Sequence, residues 1–262
     1  MPLVPDPDDP RDTLLVDPAG RPLARTRLRS HECVAGRTRV LAGVAPDEIA
    51  AQARQDLAGL RVATVDQLLA DALVDAGGTL HRVALDLRHD LADLPREPVV
   101  PAGWRLAPSG WDEDLLAAVR EAYGPGHVDG PWTDEDTAEV SAMHLPGAAS
   151  PPLTGASAPV RDRAGRSAGH VLCAGPVPWA EDGGGWVLTI GLAARARGRG
   201  LGRALLVRAL QGTRDAGLPT LGLSVTEGNP AQRLYETTGF APVQRVLSVR
   251  LPGQHGGPAT RG

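Results

Sequence analysis

The chain has 262 residues, a formal net charge of −4 and ordinary proportions of apolar and charged residues, 42% and 22%. It is therefore long enough to bury one large core or two small ones, its acidic balance argues against a general nucleic-acid binder, and no apolar run approaches a bilayer-spanning length. All 27 basic residues are arginine, so Walker-type nucleotide hydrolysis and a lysine Schiff base are excluded; the same bias, with abundant Ala, Gly and Pro, suggests a GC-rich bacterial source.

The acidic, proline-rich start from Met1 to Pro10 is the opposite of a signal peptide and sets the expectation of a cytoplasmic protein. Strands over 14–16 and 23–28 flank the turn Asp17-Pro18-Ala19-Gly20. A strand over 38–44, a helix opened by Pro46-Asp47-Glu48, a Thr64/Gln67 capping box before the apolar run 68–74, and a strand over 79–87 complete a mixed segment at 1–95. Asp17-x-Ala-Gly-Arg is matched by Asp162-x-Ala-Gly-Arg. One short match reads as a shared turn type, with a degenerate copy of the second half as the sharper alternative.

Residues 90–103, with prolines at 95, 98 and 101, read as a linker. A strand over 104–106 precedes a helix capped through Ser109-x-x-Asp112 that carries Leu115, Leu116, Val119 and Tyr123 on its apolar side. A loop over 124–132, a short helix capped by Thr133, a Pro/Gly/Ala/Ser-rich mobile stretch at 145–157 and a hairpin about Gly165 follow. Cys33 and Cys173 form neither a disulfide framework nor a metal knuckle and read as small buried hydrophobes; His31-Glu32-Cys33 lacks the second histidine of a zinc motif.

The chemistry concentrates near the end. Arg197-Gly198-Arg199-Gly200-Leu201-Gly202 lies between an apolar strand over 186–190 and a helical run from Arg203. The glycines let backbone close on a ligand, and the free amides of a helix start attract phosphate. Leu205 stands where a dinucleotide fingerprint needs its third glycine, which leaves a dinucleotide-dependent oxidoreductase the weaker alternative. After a strand over 221–225, Asn229 and Pro230 can open a short helix and Gly239 can end it in the left-handed conformation, with Ala231, Leu234 and Tyr235 on one face.

Arg197-x-x-Gly200-x-Gly202 and the run Asn229-x-Ala231-x-x-Leu234-Tyr235-Glu236-x-x-Gly239-Phe240 resemble the two signatures of the GCN5-related N-acetyltransferases, the GNAT family, over roughly 103–251. The resemblance implies an α/β (α+β) fold: a mixed, mostly antiparallel splayed sheet flanked by helices at 96–252, after the smaller α/β segment at 1–95 and before a disordered tail at 253–262. It implies acetyl-CoA as donor, no metal, and an amine on a small molecule or peptide as acceptor, with monomer and homodimer both open.

On that resemblance the backbones of Ile190 and Leu192 pair with pantetheine. Arg197 and the amides of Gly198, Arg199, Gly200, Leu201, Gly202 and Arg203 hold the pyrophosphate. Asn229 and Tyr235 stand beside the pantetheine arm and thioester, with Tyr235 as general acid. Relatives often carry a glutamate on the motif strand or just before the valine of the next one, where this chain has Val187, Leu188, Thr189 and Ser224. Glu227 is put forward as base, with Glu121, His127 and His170 as further candidates; deprotonation through water needs none of them. A two-part chain with one live GNAT domain also resembles the tandem layout of mycothiol synthases, and a non-catalytic acyl-CoA-binding module is the main alternative.

Charge points the same way without the family. Six arginines stand at 195, 197, 199, 203, 208 and 214, and six acids at 121, 129, 134, 135, 136 and 139. A basic rim suits polyanionic CoA and an acidic rim a cationic amine, although solvated helix faces give the same runs and exposed charges are screened beyond about 8 Å.

Overall fold

The computed structural model describes residues 3–29, 34–142, 148 and 150–253. His31, Glu32, Cys33, residues 145–147 and 149 of the Pro/Gly-rich stretch, and the tail from 254 lie outside the described residues. The chain divides into two compact units, Met1–Ala84 with Gln244–Gly262, and Leu85–Val243.

The first unit contains β1 (Leu3–Pro5), β2 (Thr13–Val16), β3 (Pro22–Thr26), β4 (Leu28–Arg29), β5 (Val34–Val40), α1 (Pro46–Asp56), β6 (Arg61–Thr64), α2 (Gln67–Asp75) and the start of β7 (Thr79–His89). Alternation in β2 and β3 turns Leu15 and Leu23 inward, where they meet Ile49, Ala53 and Leu57 of α1 and Leu69 and Leu73 of α2. The cap of α2 is Asp66, whose carboxylate accepts from the amides of Leu68 and Leu69. Thr64, the expected cap, ends β6 instead, and its hydroxyl donates to the Thr38 carbonyl at 3.0 Å.

The second unit runs through β8 (Trp104–Leu106), α3 (Glu113–Ala122), α4 (Asp134–Ala142), β9 (Ala158–Asp162), β10 (Ser167–Ala174), β11 (Gly185–Leu192), α5 (Leu201–Asp215), β12 (Leu221–Thr226), α6 (Ala231–Thr237) and the start of β13 (Ala241–Arg250). Its sheet order is β7-β12-β11-β10-β9-β8. Every residue of β10 is buried. Val171 and Cys173 pack with Leu205 and Ala209 of α5, while Leu172, pointing the other way, packs with Leu115 and Val119 of α3. The cap of α3 is Asp112, which accepts from the Leu115 amide at 2.8 Å; Ser109 plays no such part.

The two units repeat one order of elements: a hairpin, a third strand antiparallel to it, a helix, a strand parallel to the third, and a second helix. Their hairpin turns agree bond for bond. Asp17 accepts from the Arg21 amide at 2.9 Å and Asp162 from the Arg166 amide at 3.0 Å, with Gly20 and Gly165 at φ of 84° and 83°. The shared Asp-x-Ala-Gly-Arg thus marks equivalent places in two similar arrangements, which is more than the shared turn type expected from sequence.

The unit boundaries fall inside β7 and β13, away from the proline-rich stretch at which the sequence reading divides the chain. The reason is packing. Leu87 and Leu91 belong to the core of the second unit. Leu247 and Val249 belong to the core of the first, where β13 pairs antiparallel with β6 from Leu247–Thr64 to Arg250–Arg61. A cut at residue 95 would strip core residues from the second unit.

Candidate active site

The site begins with a bulge. In the ladder of β10 with β11, Leu172 faces Thr189 and Cys173 faces Val187, so Leu188 is an extra residue that bends β11. On its other side β11 pairs in parallel with β12 only at Gly185–Leu221 and Trp186–Gly222. Beyond that point the strands part, and a cleft of about 670 Å³ opens between them, walled by residues 187–192 and 223–225, by the loop 121–129 and by residues 229–231 and 235.

At one end of the cleft lies the glycine loop. Gly198 and Gly200 have φ of 71° and 77°, which side-chain-bearing residues rarely adopt, and a Cβ on either would meet nothing within 4 Å. Gly200 caps α5, whose first bond runs from the Ala204 amide to the Gly200 carbonyl at 3.1 Å. The amides from Gly198 to Arg203 have no partner among the described residues. Open space over a row of unsatisfied N–H groups fits a pyrophosphate.

Gly202 has a different role from its neighbours. A Cβ there would stand 3.1 Å from Leu234 Cδ2, so this glycine lets α5 and α6 approach.

The arginines of the loop are already engaged. Arg197 donates to the Leu192 carbonyl at 3.0 Å and the Ala122 carbonyl at 3.2 Å, tying the loop to β11 and to the last turn of α3. Arg195 pairs with Glu121, Arg199 lies 5.9 Å over the Trp104 ring, and Arg203 donates to the Thr237 carbonyl at 3.3 Å. The basic and acidic runs therefore touch at Arg195–Glu121 and are not two separate rims.

Short-range order brings Tyr235 into the cleft wall. The Asn229 side chain accepts from the Ala231 amide at 2.9 Å, capping the turn that opens α6 one residue earlier than the helix itself begins. The other end is a Schellman closure: Phe240 N–H to the Tyr235 carbonyl at 3.1 Å, Gly239 N–H to the Glu236 carbonyl at 3.0 Å, and Gly239 at φ 97°. Tyr235 is 7% exposed and packs against Phe240. Its hydroxyl has no hydrogen-bond partner among the described residues. Burial, reinforced by Tyr123 and the Asp129 charge, raises its pKa, so it stays a proton donor.

Of the other residues singled out from sequence, Ile190, Leu192, Arg197 and Asn229 also line the cleft. The Ile190 and Leu192 carbonyls already accept from Tyr123 and Arg197, so a pantetheine amide would use their second lone pairs or displace those donors. Glu227 is exposed in the turn after β12 and is not among the lining residues. Glu121 lines the cleft but is paired with Arg195.

His170 is fully buried, pushed down to about 3 by desolvation and not among the lining residues, so its neutral ring has too little proton affinity and no access to act as base in the cleft. It anchors a chain instead. His170 Nε2 lies 2.9 Å from Thr189 Oγ1, which lies 2.9 Å from the Tyr123 hydroxyl in the cleft wall. Gly191 leaves room for this packing, since a Cβ there would be 2.9 Å from Ala122 Cβ and 3.3 Å from the Tyr123 ring. Sequence reasoning placed Tyr123 only on a helix face and named Thr189 only as a place without the glutamate of relatives; their contact has no local signal, because β-sheet register and the packing of α3 bring them together.

A pH dependence follows. A histidine in the unfolded chain titrates near 6.5, whereas folded His170 resists protonation, so between about pH 6.5 and 3 the unfolded state binds more protons and stability falls as pH drops. His89, also lowered by burial, acts in the same direction. In melting curves taken from pH 7 to pH 4, His170→Asn should show a shallower loss than the wild type; equal slopes would contradict this account.

Residues 117–240, which hold the bulged strand, the glycine loop and α6, match the family model "Acetyltransferase (GNAT) family". This domain belongs to the GNAT family. A mycothiol acetyltransferase of Thermomonospora curvata is 36% identical over 193 residues, covering 71% of this chain and 61% of that protein. One from Parafrankia sp. is 33% identical over 199 residues, covering 66% and 59%. The chain thus spans about three fifths of the length of these relatives.

Solved structures agree in fold with the GNAT assignment. A GCN5-related N-acetyltransferase from Sphaerobacter thermophilus superposes with a TM-score of 0.64 at 21% identity, covering 93% of this chain and 82% of that one. A tandem GNAT protein from the clavulanic acid biosynthesis pathway gives 0.61 at 16% identity, covering 91% and 81%. Among the described residues no helix is long and apolar enough to cross a membrane.

Proposed function

We propose that the chain is an N-acetyltransferase that moves an acetyl group from acetyl-CoA to a primary amine. The observation that carries the reading is the parting of β11 and β12 after two pairs, with the unsatisfied amides of Gly198 to Arg203 at one end and an unpartnered Tyr235 hydroxyl in the wall. Pantetheine would lie against the bent strand at Ile190 and Leu192 beside Asn229, and the pyrophosphate would sit on the loop amides. A neutral amine attacks the thioester carbon, the C–N bond forms and the C–S bond breaks, and Tyr235 supplies the proton that the departing sulfur takes. Burial disfavours phenolate and thiolate alike, which keeps that transfer feasible in the cleft. The names of the relatives and the GNAT match support acetyl transfer and do not favour a dinucleotide oxidoreductase. No group on β11 is placed as base, so loss of the amine proton through water fits the site.

The first unit reads as a GNAT-like half that holds no cofactor. There β5 stays paired with β6 from Val34–Arg61 to Thr38–Thr64, so these two strands do not part as β11 and β12 do. The start of α1 is closed too: Pro46 has no N–H, Asp47 and Glu48 are acidic, and Glu48 accepts from the Ala45 amide. The likeness of 91% of the chain to a tandem GNAT structure supports this reading. Isothermal titration with acetyl-CoA should therefore give one site per chain. Two sites would refute the reading of the first unit, and none would refute the function.

A further inference from the structure

We propose that His89 is a positioning residue for the reaction, clamping the closing turn of α6 so that Tyr235 stays fixed in the cleft wall. The inference rests on Tyr235 as the acid and adds the group that holds it. His89 ends β7 inside the second unit and is buried. Its Nδ1 accepts the Leu91 amide at 2.9 Å, so the ring proton sits on Nε2, which donates to the Thr238 backbone. Both ring nitrogens are thus used, one within its own turn and one across to the end of α6.

The contact is fitted on every side. The ring stands edge-on to Phe240, with centroids 5.5 Å apart, and Phe240 in turn packs against Tyr235. A Cβ on Gly239 would come 2.7 Å from His89 Nε2, so the glycine that closes α6 also admits the ring. Leu91 has φ of 61°, the one side-chain-bearing residue in the left-handed region among the described residues, and the His89 bond together with burial in the core holds it there. Thr238 and Phe240, the residues that the ring grips, both donate their amides to the Tyr235 carbonyl, at 3.0 and 3.1 Å. Asn229 fixes the opposite end of α6. The ring is therefore a polar link from β7 to the turn that holds the Tyr235 backbone, and displacing a catalytic group by about 1 Å can cost about 10²-fold in rate.

Asparagine and glutamine at this position separate the two bonds. Asn carries its oxygen where Nδ1 stands and keeps the Leu91 amide, whereas Gln carries its amide nitrogen where Nε2 stands and keeps Thr238. In the full chain, His89→Asn should slow thiol release from acetyl-CoA, with a pool of primary amines as acceptors, by about tenfold or more. Its acetyl-CoA affinity by titration calorimetry should not change, and His89→Gln should recover most of the lost turnover. The chain has two tyrosines, so 3-fluorotyrosine labelling reads Tyr235 directly once Tyr123→Phe assigns the other signal. His89→Asn should shift or broaden the Tyr235 fluorine resonance and leave that of Tyr123 in place, a readout that needs no acceptor. Wild-type turnover in His89→Asn, an unmoved Tyr235 resonance, or a His89→Gln variant as slow as His89→Asn would overturn the assignment while Tyr235 as the acid stands. Normal turnover in Tyr235→Phe would remove the acid and this role with it. Should both His89 variants fail to fold, the wild-type histidine spectrum decides: the ring in contact with Phe240, the chain's one phenylalanine, should carry its proton on Nε2, and a proton on Nδ1 would refute the clamp.

Discussion

Tyr235→Phe is expected to lower turnover by roughly 10²- to 10⁴-fold, the range for a lost acid–base group, with little change in acetyl-CoA affinity. The structure makes this a clean substitution. The ring, which packs against Phe240, is retained. The hydroxyl bonds to none of the described residues, so its removal leaves no buried partner unsatisfied and should not lower the melting temperature. An acetyl thioester of a more acidic thiol, whose thiolate leaves without help, should show a smaller loss. Unchanged turnover in steady-state assays would end the proposed role, and an early melt with normal turnover would make Tyr235 a structural residue.

Gly200→Val is expected to abolish the thermal shift given by acetyl-CoA. At φ 77° a β-branched residue is strained by about 1–3 kcal/mol, so the free protein should melt earlier yet still fold. The new side chain would also project into the open space in front of the loop amides, where a pyrophosphate must approach. Gly202→Val is a less selective probe, because its Cβ would push on Leu234 and so move the helix that carries Tyr235. A full thermal shift in Gly200→Val would show that the cofactor does not use this loop.

Features set by local chemistry could be read from the chain alone. Gly198 and Gly200 take positive φ because only glycine does so freely, and Gly239 closes α6 for the same reason. Asn229 accepts from the Ala231 amide in the turn just before α6, whose cap position is Pro230, and the hairpin turns at Gly20 and Gly165 follow from Asp accepting backbone amides. The glycine loop and the helix bearing Tyr235 thus follow from spacings of a few residues.

Other features depend on partners far away in sequence. β6 and β13 are short or weakly patterned, and what makes them strands is their pairing with each other across more than half the chain. The unit boundary at Ala84 and Val243 follows from which core takes up Leu87 and which takes up Leu247, a choice invisible to composition, which points to the prolines instead. The split of β11 from β12 depends on a bulge that exists only once β10 is in register. Glu227 is one of four base candidates that no spacing singles out, and the turn after β12 leaves it exposed and outside the cleft lining; Asp129, which does line the cleft, accepts from the Thr226 hydroxyl, a contact no local pattern signals. Sequence determined the glycine loop because backbone conformation is a property of neighbouring residues, and tertiary structure decided which side chains line the cleft because their positions depend on strands and loops far apart in the chain.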